Sequence, residues 1–154
     1  MLEAGTKAPD FTLQTTTGEN LTLSSLKGQT VVLYFYPKDM TPGCTTEACD
    51  FRDQTEVFKA HNTVVLGVSP DPVEKHQKFT EKHGLPFPLL ADRDHKVAES
   101  YGVWQLKKKF GKEYMGIVRS TFVIDKEGQI VKVWPNVKVA GHVDEVLEVV
   151  KQYE

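Results

Sequence analysis

The feature that most constrains the fold is an unbroken apolar run, Val-Val-Leu-Tyr-Phe, at positions 31–35. No polar residue alternates with its members, which is typical of a β-strand buried on both faces of a sheet. A second run, Val-Val-Leu-Gly-Val, occupies 64–68, and apolar residues recur at helical spacing from 45 to about 60. The order strand, helix, strand predicts a sheet that is covered by helices.

The rest of the chain continues the alternation and then ends in a hairpin and a helix. The other predicted strands are an N-terminal β-hairpin of 11–13 and 21–23, a strand at 87–91, and a hairpin of 120–125 and 130–134. The other predicted helices cover 71–84, with Asp71 as N-cap and Pro72 in the first helical position, 94–101, and 142–153. We therefore expect one α/β domain over 1–154, with a central mixed β-sheet flanked by helices.

One predicted connection, residues 102–116, is long enough to be a functional loop. It contains four lysines, at 107–109 and 112. A run of like charges is also typical of an ordinary solvated surface. Both interpretations stay open at this stage.

Charge and cysteine content exclude several classes of protein. The 154 residues carry 19 Lys and Arg against 21 Asp and Glu, a balance that argues against a nucleic-acid binder. The longest apolar run, 31–36, is far shorter than the roughly 20 residues that span a bilayer, and we see no secretory leader. We therefore expect a cytoplasmic protein with no membrane partner, in which two cysteines serve chemistry rather than a disulfide scaffold.

The segment after the first buried strand places a cysteine at the start of a helix. Thr41 and Pro42 are the residue types of an N-cap followed by proline in the first helical position. Cys44 then falls in the first turn, where unpaired backbone N–H groups and the helix dipole favour a thiolate. We expect a reactive, partly exposed thiol at this position rather than a buried packing residue.

The second cysteine, Cys49, lies five positions after Cys44. This spacing is not the Cys-x-x-Cys motif of a dithiol reductase, and it makes a poor zinc site. On one regular helix the two α-carbons are about 8–9 Å apart, whereas a disulfide needs about 4.4–6.8 Å. A bond between them would require at least one helical turn to open. The alternative interpretation of Cys49 is an inert helix residue, since free cysteine packs well.

The pattern Pro37-x-x-x-Thr41-x-x-Cys44 resembles the active-site signature of the peroxiredoxins. The longer string from Tyr34 to Cys49, YFYPKDMTPGCTTEAC, is similar to the PrxQ subfamily, also called bacterioferritin comigratory protein. A second block, RSTFVID at 119–125, is similar as well, and so is YMGI before it. The resemblance covers essentially the whole chain.

This resemblance implies a thioredoxin-like fold and the reduction of hydrogen peroxide and organic hydroperoxides. It implies that Cys44 is the peroxidatic cysteine and that Cys49 resolves it through an intramolecular disulfide. Thr41 and Arg119 would hold the peroxide, and Pro37 would shield the pocket and shape the loop. It further implies recycling by thioredoxin or a similar dithiol and a monomeric protein. No metal, haem or flavin motif is visible, so we expect no cofactor.

These residue types suit the reaction. A departing oxygen needs a place for negative charge, which Arg119 and the backbone N–H groups near Gly43 and Cys44 can supply. Glu47 has two interpretations: it orients an arginine, or it is an ordinary first-turn carboxylate. The five histidines have no metal-ligand spacing and are interpreted as surface or packing residues, as are both tryptophans.

Two rival functions remain open. A one-cysteine peroxidase would leave Cys49 inert and use an external thiol to resolve Cys44. A redox-sensing module would use the same reactive cysteine to regulate a partner without turnover. The first predicts that replacing Cys49 with serine leaves cycling with thioredoxin normal.

Overall fold

The computed structural model describes residues 1–153. Its strands are β1 Thr12–Thr15, β2 Asn20–Thr22, β3 Thr30–Phe35, β4 Thr63–Ser69, β5 Leu89–Ala91, β6 Trp104–Lys109, β7 Lys112–Ile117, β8 Ser120–Ile124 and β9 Ile130–Trp134. Its α-helices are α1 Pro42–Asp53, α2 Thr55–Ala60, α3 Val73–His83, α4 Lys96–Ser100 and α5 His142–Val150. A 3-10 turn covers Leu23–Leu26.

Seven strands form one mixed sheet in the order β2-β1-β5-β4-β3-β8-β9. Strand β3 runs parallel to β4, and β4 runs parallel to β5, whereas β1 and β8 join this parallel centre in antiparallel directions. The predicted N-terminal hairpin is confirmed, and its strand β1 extends the central sheet by pairing with β5. The predicted mixed sheet flanked by helices is therefore confirmed.

The side chains of β3 alternate between two buried clusters, one on each side of the sheet. Val32, Tyr34 and the following Tyr36 pack with Cys44 and with α1, α2, α3 and α5, and we call this side the Cys44 face. Val31, Leu33 and Phe35 pack on the other side with α4 residues such as Val97, and we call that side the opposite face. All six residues of β3 are buried, as the apolar run predicts.

The predicted helix over 45–60 is wrong in one respect, because the chain forms two helices that meet at Gln54. The hydroxyl of Thr55 donates to the carbonyl of Phe51 at 3.2 Å, and the amide of Gln54 donates to the same carbonyl at 3.2 Å. A side-chain hydroxyl thus takes the place that the next helical amide would occupy. Apolar spacing alone does not reveal this competition.

The prediction of a loop over 102–116 is also wrong, because β6 and β7 form an antiparallel hairpin there. Its two-residue turn, Phe110 and Gly111, has φ values of 52° and 76°, as hairpin turns with two positive φ angles require. The strands are rich in lysine, which is depleted in β-strands, so the strand pattern is weak in the sequence.

The predicted start of α3 is displaced by one residue. The helix begins at Val73 with Pro72 in the N-cap position, so Asp71 does not cap it. Its carboxylate instead accepts hydrogen bonds from the amide of Asp39 at 2.7 Å and the hydroxyl of Ser69 at 2.7 Å. The aspartate that resembled a helix cap therefore holds the segment before Cys44.

Over the same 153 residues, none of the helices has the length and apolar character needed to cross a bilayer. No group of three or more His, Cys, Asp or Glu side chains in this part of the chain is arranged to hold a metal ion.

Candidate active site

The chain leaves strand β3 after Phe35 and reaches the start of α1 at Pro42 through a short loop. Thr41 has extended backbone angles in the N-cap position and Pro42 is the first helical residue, as the sequence predicts. Cys44 follows in the first turn of α1 but is only 1% exposed. The expectation of a partly exposed thiol is therefore wrong, because the turn lies against the sheet and the thiol joins the cluster on that face.

The thiol of Cys44 has a cationic neighbour. Arg119, immediately before β8, donates from Nη2 to Cys44 Sγ at 3.2 Å and from Nη1 to Glu47 Oε1 at 2.7 Å. Its backbone is held as well, because its carbonyl accepts from the amide of Val137 at 2.8 Å. The guanidinium therefore places a fixed positive charge beside the sulfur of Cys44.

A glycine gives Arg119 room to reach the thiol. A Cβ atom on Gly43 would lie 3.2 Å from Nη2 of Arg119, closer than ordinary van der Waals contact. Because Gly43 precedes Cys44 in the first turn of α1, its missing side chain leaves the guanidinium in place above the helix start.

Glu47 lies on α1 and is fully buried. Of the two interpretations of Glu47, the structure agrees with the first, because its carboxylate contacts an arginine. Burial raises the pKa of the Glu47 carboxyl to about 7, because the loss of water outweighs the opposing effect of the Arg119 guanidinium. Its Oε2 atom has no hydrogen-bond partner among the described residues.

Thr41 and Pro37 lie in the loop before α1, and both are half-buried. The hydroxyl of Thr41 does not cap the helix but donates to the carbonyl of Lys38 at 2.9 Å. That contact fixes the orientation of the hydroxyl and leaves its lone pairs available to accept a hydrogen bond.

Both cysteines are free thiols, Cys44 buried and Cys49 half-buried. They lie on the single helix α1, five residues apart. An intact helix therefore keeps their α-carbons beyond the range of a disulfide.

The sequence did not reveal a buried network beneath the loop that precedes Cys44. His76 on α3 places Nδ1 2.6 Å from Asp39 Oδ2 and Nε2 3.0 Å from the carbonyl of Leu90. Tyr36 donates its hydroxyl to the other oxygen of Asp39. Since Asp39 and His76 are 37 positions apart, no local pattern connects them.

A second histidine, His142, lies at the start of α5 and against α1. Burial lowers its pKa to about 4, so the ring is neutral at pH 7. Its Nε2 lies 2.8 Å from the hydroxyl of Thr121, and its ring packs edge-on against Phe51 and Trp134. His76 and His142 are both buried, as expected of packing residues, but the side chain of each also forms hydrogen bonds.

The β6–β7 hairpin brings one of its lysines to the site. Lys107 donates from Nζ to the carbonyl of Ile117 at 2.9 Å, and burial followed by the charge of Arg119 lowers its pKa. An open groove of about 430 Å³ borders Arg119. Its lining residues are Gln105, Leu106, Lys107, Val118, Arg119, Asn136 and Val137.

A parallel-centred α/β sheet with a buried thiol, an arginine and a glutamate at a helix start defines the class of thiol-based redox enzymes. Residues 4–133 match the AhpC/TSA family, and the chain belongs to that family.

Individual relatives narrow the class. The chain is 62% identical over 150 residues to peroxiredoxin Bcp of Bacillus subtilis, covering 97% of this chain and 96% of that one. It is 42% identical to a solved peroxiredoxin Q of Xanthomonas campestris, with a TM-score of 0.92 over 99% of each chain. A Xanthomonas campestris bacterioferritin comigratory protein, studied for alkyl peroxide reduction, is also 42% identical, with a TM-score of 0.92 over 97% of this chain and 98% of that one.

The resemblance to the PrxQ or Bcp type of peroxiredoxin is therefore confirmed, and so is the thioredoxin-like fold. The protein is a peroxidase and an oxidoreductase that reduces peroxide with a thiol.

Proposed function

We propose that the Cys44 thiolate reduces peroxide and that Cys49 resolves the product through an intramolecular disulfide. The observation that carries the first part is the contact of Arg119 Nη2 with Cys44 Sγ at 3.2 Å. Arg119 is in turn oriented by Glu47. This set joins a buried nucleophile to a fixed positive charge, which is what cleavage of an O–O bond requires.

In the first step the sulfur of Cys44 attacks one peroxide oxygen, an S–O bond forms and the O–O bond breaks. The departing oxygen takes the electron pair and a proton and leaves as water or an alcohol, while Cys44 becomes a sulfenic acid. Arg119 and the backbone N–H groups at the start of α1 stabilise the developing negative charge. Thr41 accepts a hydrogen bond from the peroxide, Gly43 leaves room for Arg119, and Pro37 shapes the loop.

In the second step the thiol of Cys49 condenses with the sulfenic acid of Cys44, an S–S bond forms and water leaves. This step requires α1 to open over about residues 45–51, because an intact helix holds the thiols apart. Thioredoxin or a similar dithiol then reduces the disulfide. Since both cysteines are in one chain, the cycle needs only a monomer.

We propose hydrogen peroxide and organic hydroperoxides as substrates. The groove beside Arg119 carries apolar side chains from Leu106, Val118 and Val137, which suit the carbon chain of an alkyl hydroperoxide. The alkyl peroxide reduction studied for the Xanthomonas relative supports this substrate class.

Replacing Cys49 with serine tests the resolving role and distinguishes the one-cysteine alternative. We expect C49S to consume the first equivalent of peroxide at the wild-type rate, measured by stopped flow, because Cys44 and Arg119 are intact. Turnover coupled to thioredoxin should be lost. Normal turnover in C49S would instead support an external thiol as the resolving partner, and C44S serves as the control that loses both steps.

A further inference from the structure

Hydrogen bonds join α3 to the segment that carries both cysteines, one just before α1 and one at its end. Before α1, the Asp39 carboxylate contacts His76, which lies in the first half of α3. At the end of α1, Arg52 donates from Nη1 to the carbonyl of His83, the last residue of α3, at 2.8 Å. Helix α3 therefore spans the two ends of the segment that must open for Cys49 to reach Cys44.

The contact between Asp39 and His76 is buried, and the ring of His76 is held in one orientation. Asp39 is 4% exposed and His76 is fully buried. Nε2 of His76 donates to the carbonyl of Leu90, so the ring is oriented with Nδ1 toward Asp39. The backbone amide of Asp39 also donates to Asp71. A hydrogen bond between buried groups is costly to break, because a buried polar group that loses its partner keeps its full desolvation penalty.

The loop that these bonds hold has a conformation that is locally unfavourable. Met40 has φ 66°, in the left-handed region that side chains other than glycine rarely occupy. It lies between the anchored Asp39 and the N-cap Thr41. Such conformations persist only where surrounding contacts fix them, so release of Asp39 would let the loop relax.

We propose that Asp39, His76 and Arg52 are positioning residues that hold α1 closed and thereby set how fast Cys49 resolves Cys44. This inference rests on the proposed resolving role of Cys49. While α1 stays closed, the sulfenic acid of Cys44 can meet a second peroxide. That reaction adds an oxygen to sulfur, breaks the O–O bond, releases water or alcohol and gives a sulfinic acid. The contacts with α3 therefore determine how much peroxide the enzyme tolerates before it is inactivated.

The test is a single turnover of the reduced protein in increasing excess of hydrogen peroxide without reductant. Rapid quenching with an alkylating reagent gives the rate of disulfide formation, and intact mass spectrometry gives the fraction of sulfinic acid. Loss of this buried hydrogen bond in D39A should accelerate disulfide formation roughly tenfold. The peroxide concentration that converts half of Cys44 to sulfinic acid should rise by a similar factor. R52M should act in the same direction but less, because Arg52 is half-exposed.

Three controls isolate this effect. V97A destabilises the opposite face without touching α1 or α3, and K59M removes an exposed positive charge from α2. Neither should change the rate of disulfide formation. Comparing D39A/C49S with C49S measures only the reaction of the Cys44 sulfenic acid with a second peroxide. A slower reaction at that step is then not mistaken for faster disulfide formation.

Wild-type rates of disulfide formation in both D39A and R52M would overturn the inference, and so would an equal acceleration in V97A. If D39A does not fold, R52M against K59M decides the question alone. Wild-type protein that forms no Cys44–Cys49 disulfide would overturn the resolving role itself, and with it this inference. The two failures are therefore distinguishable.

Discussion

Glu47 on the Cys44 face and Asp92 beside α4 on the opposite face are both buried carboxylates, and burial raises the pKa of each. Asp92 accepts hydrogen bonds from the amides of Val97 and Ala98 at 3.2 and 2.8 Å, so each of its oxygens has a partner at the start of α4. Glu47 instead holds Arg119 with one oxygen, and within residues 1–153 its other oxygen has no partner.

The contrast extends to the clusters around these carboxylates. The Cys44 face buries the hydroxyl of Tyr34, which lacks a partner among the described residues, together with the Asp39–His76 pair and His142. Buried polar groups cost stability unless they are fully satisfied. On the opposite face, Asp92 beside the cluster of aliphatic and aromatic side chains has both oxygens hydrogen-bonded. Stability and reactivity are therefore expected to separate by face, and the following substitutions test that separation.

The largest effect on activity is expected for R119M. The rate constant for reaction of Cys44 with hydrogen peroxide, measured by stopped flow, should fall by roughly 10²–10³, the loss seen when one preorganised charge-stabilising group is removed. Stability should fall as well, because the buried carboxyl of Glu47 loses its hydrogen-bond partner, so the rate constant is compared per folded molecule. R119K keeps the positive charge but loses the planar guanidinium. Its rate constant should therefore lie between those of the wild type and R119M. A rate in R119M within threefold of wild type would contradict the role of Arg119.

The largest effect on stability is expected for L66A on the opposite face. Leu66 is fully buried there, and its truncation should lower the free energy of unfolding by about 2–5 kcal/mol in a urea titration. The rate per folded molecule should stay within about twofold of wild type, since a cavity on that face does not reach Arg119. A loss of rate comparable to that of R119M would show that the faces are not separable.

Glu47 should give a pH-dependent effect on stability. Its carboxyl loses a proton near 4.5 when unfolded and at about 7 when folded. Between these values the unfolded state binds fewer protons, so the stability of the wild type falls as pH rises. E47Q should remove this slope and exceed the wild type by about 3 kcal/mol above pH 7, with no difference below pH 4.

The matched substitution D92N should behave differently. Its amide nitrogen cannot accept from a backbone N–H, so we expect a loss of about 1–3 kcal/mol at neutral pH and an unchanged rate with peroxide. Denaturant titrations from pH 4 to pH 8 measure both variants. Stabilisation of D92N at pH 8 to the extent expected for E47Q would remove the distinction between the two carboxylates.

The smallest effect is expected for G43A. The new Cβ would meet Arg119 at 3.2 Å and displace the guanidinium, so the rate with peroxide should fall several-fold. Alanine is the better helix former, and stability should therefore rise by up to about 1 kcal/mol. Thermal unfolding and stopped flow on the same preparation should show this opposite pair of changes. A gain in stability with an unchanged rate would mean that Arg119 does not need the space.

Local chemistry made much of this site predictable from the sequence. The apolar run at 31–35 predicted β3, and the pair Thr41 and Pro42 predicted where α1 begins, because both signals lie within a few residues of the structure that they specify. The resemblance then singled out Arg119, which is 75 positions from Cys44. No periodicity could have joined those two residues.

What the sequence did not predict depends on contacts between distant segments. The burial of Cys44 follows from how α1 packs on the sheet, and the hydrogen bond between Asp39 and His76 exists only after α3 has packed beside the loop. The sequence predicts Asp71 as a helix cap because aspartate is a preferred N-cap residue and proline is enriched in the first helical position. The tertiary fold instead uses its carboxylate to hold the loop.

The most direct test of the account is a count of free thiols in the reduced protein before and after one equivalent of hydrogen peroxide, with peptide mapping by mass spectrometry. We predict that both thiols disappear within one chain and that the peptides containing Cys44 and Cys49 are joined, which requires α1 to open. A sulfenic acid on Cys44 with Cys49 still free would contradict the intramolecular cycle, and two unreacted thiols would contradict the role of Cys44 itself.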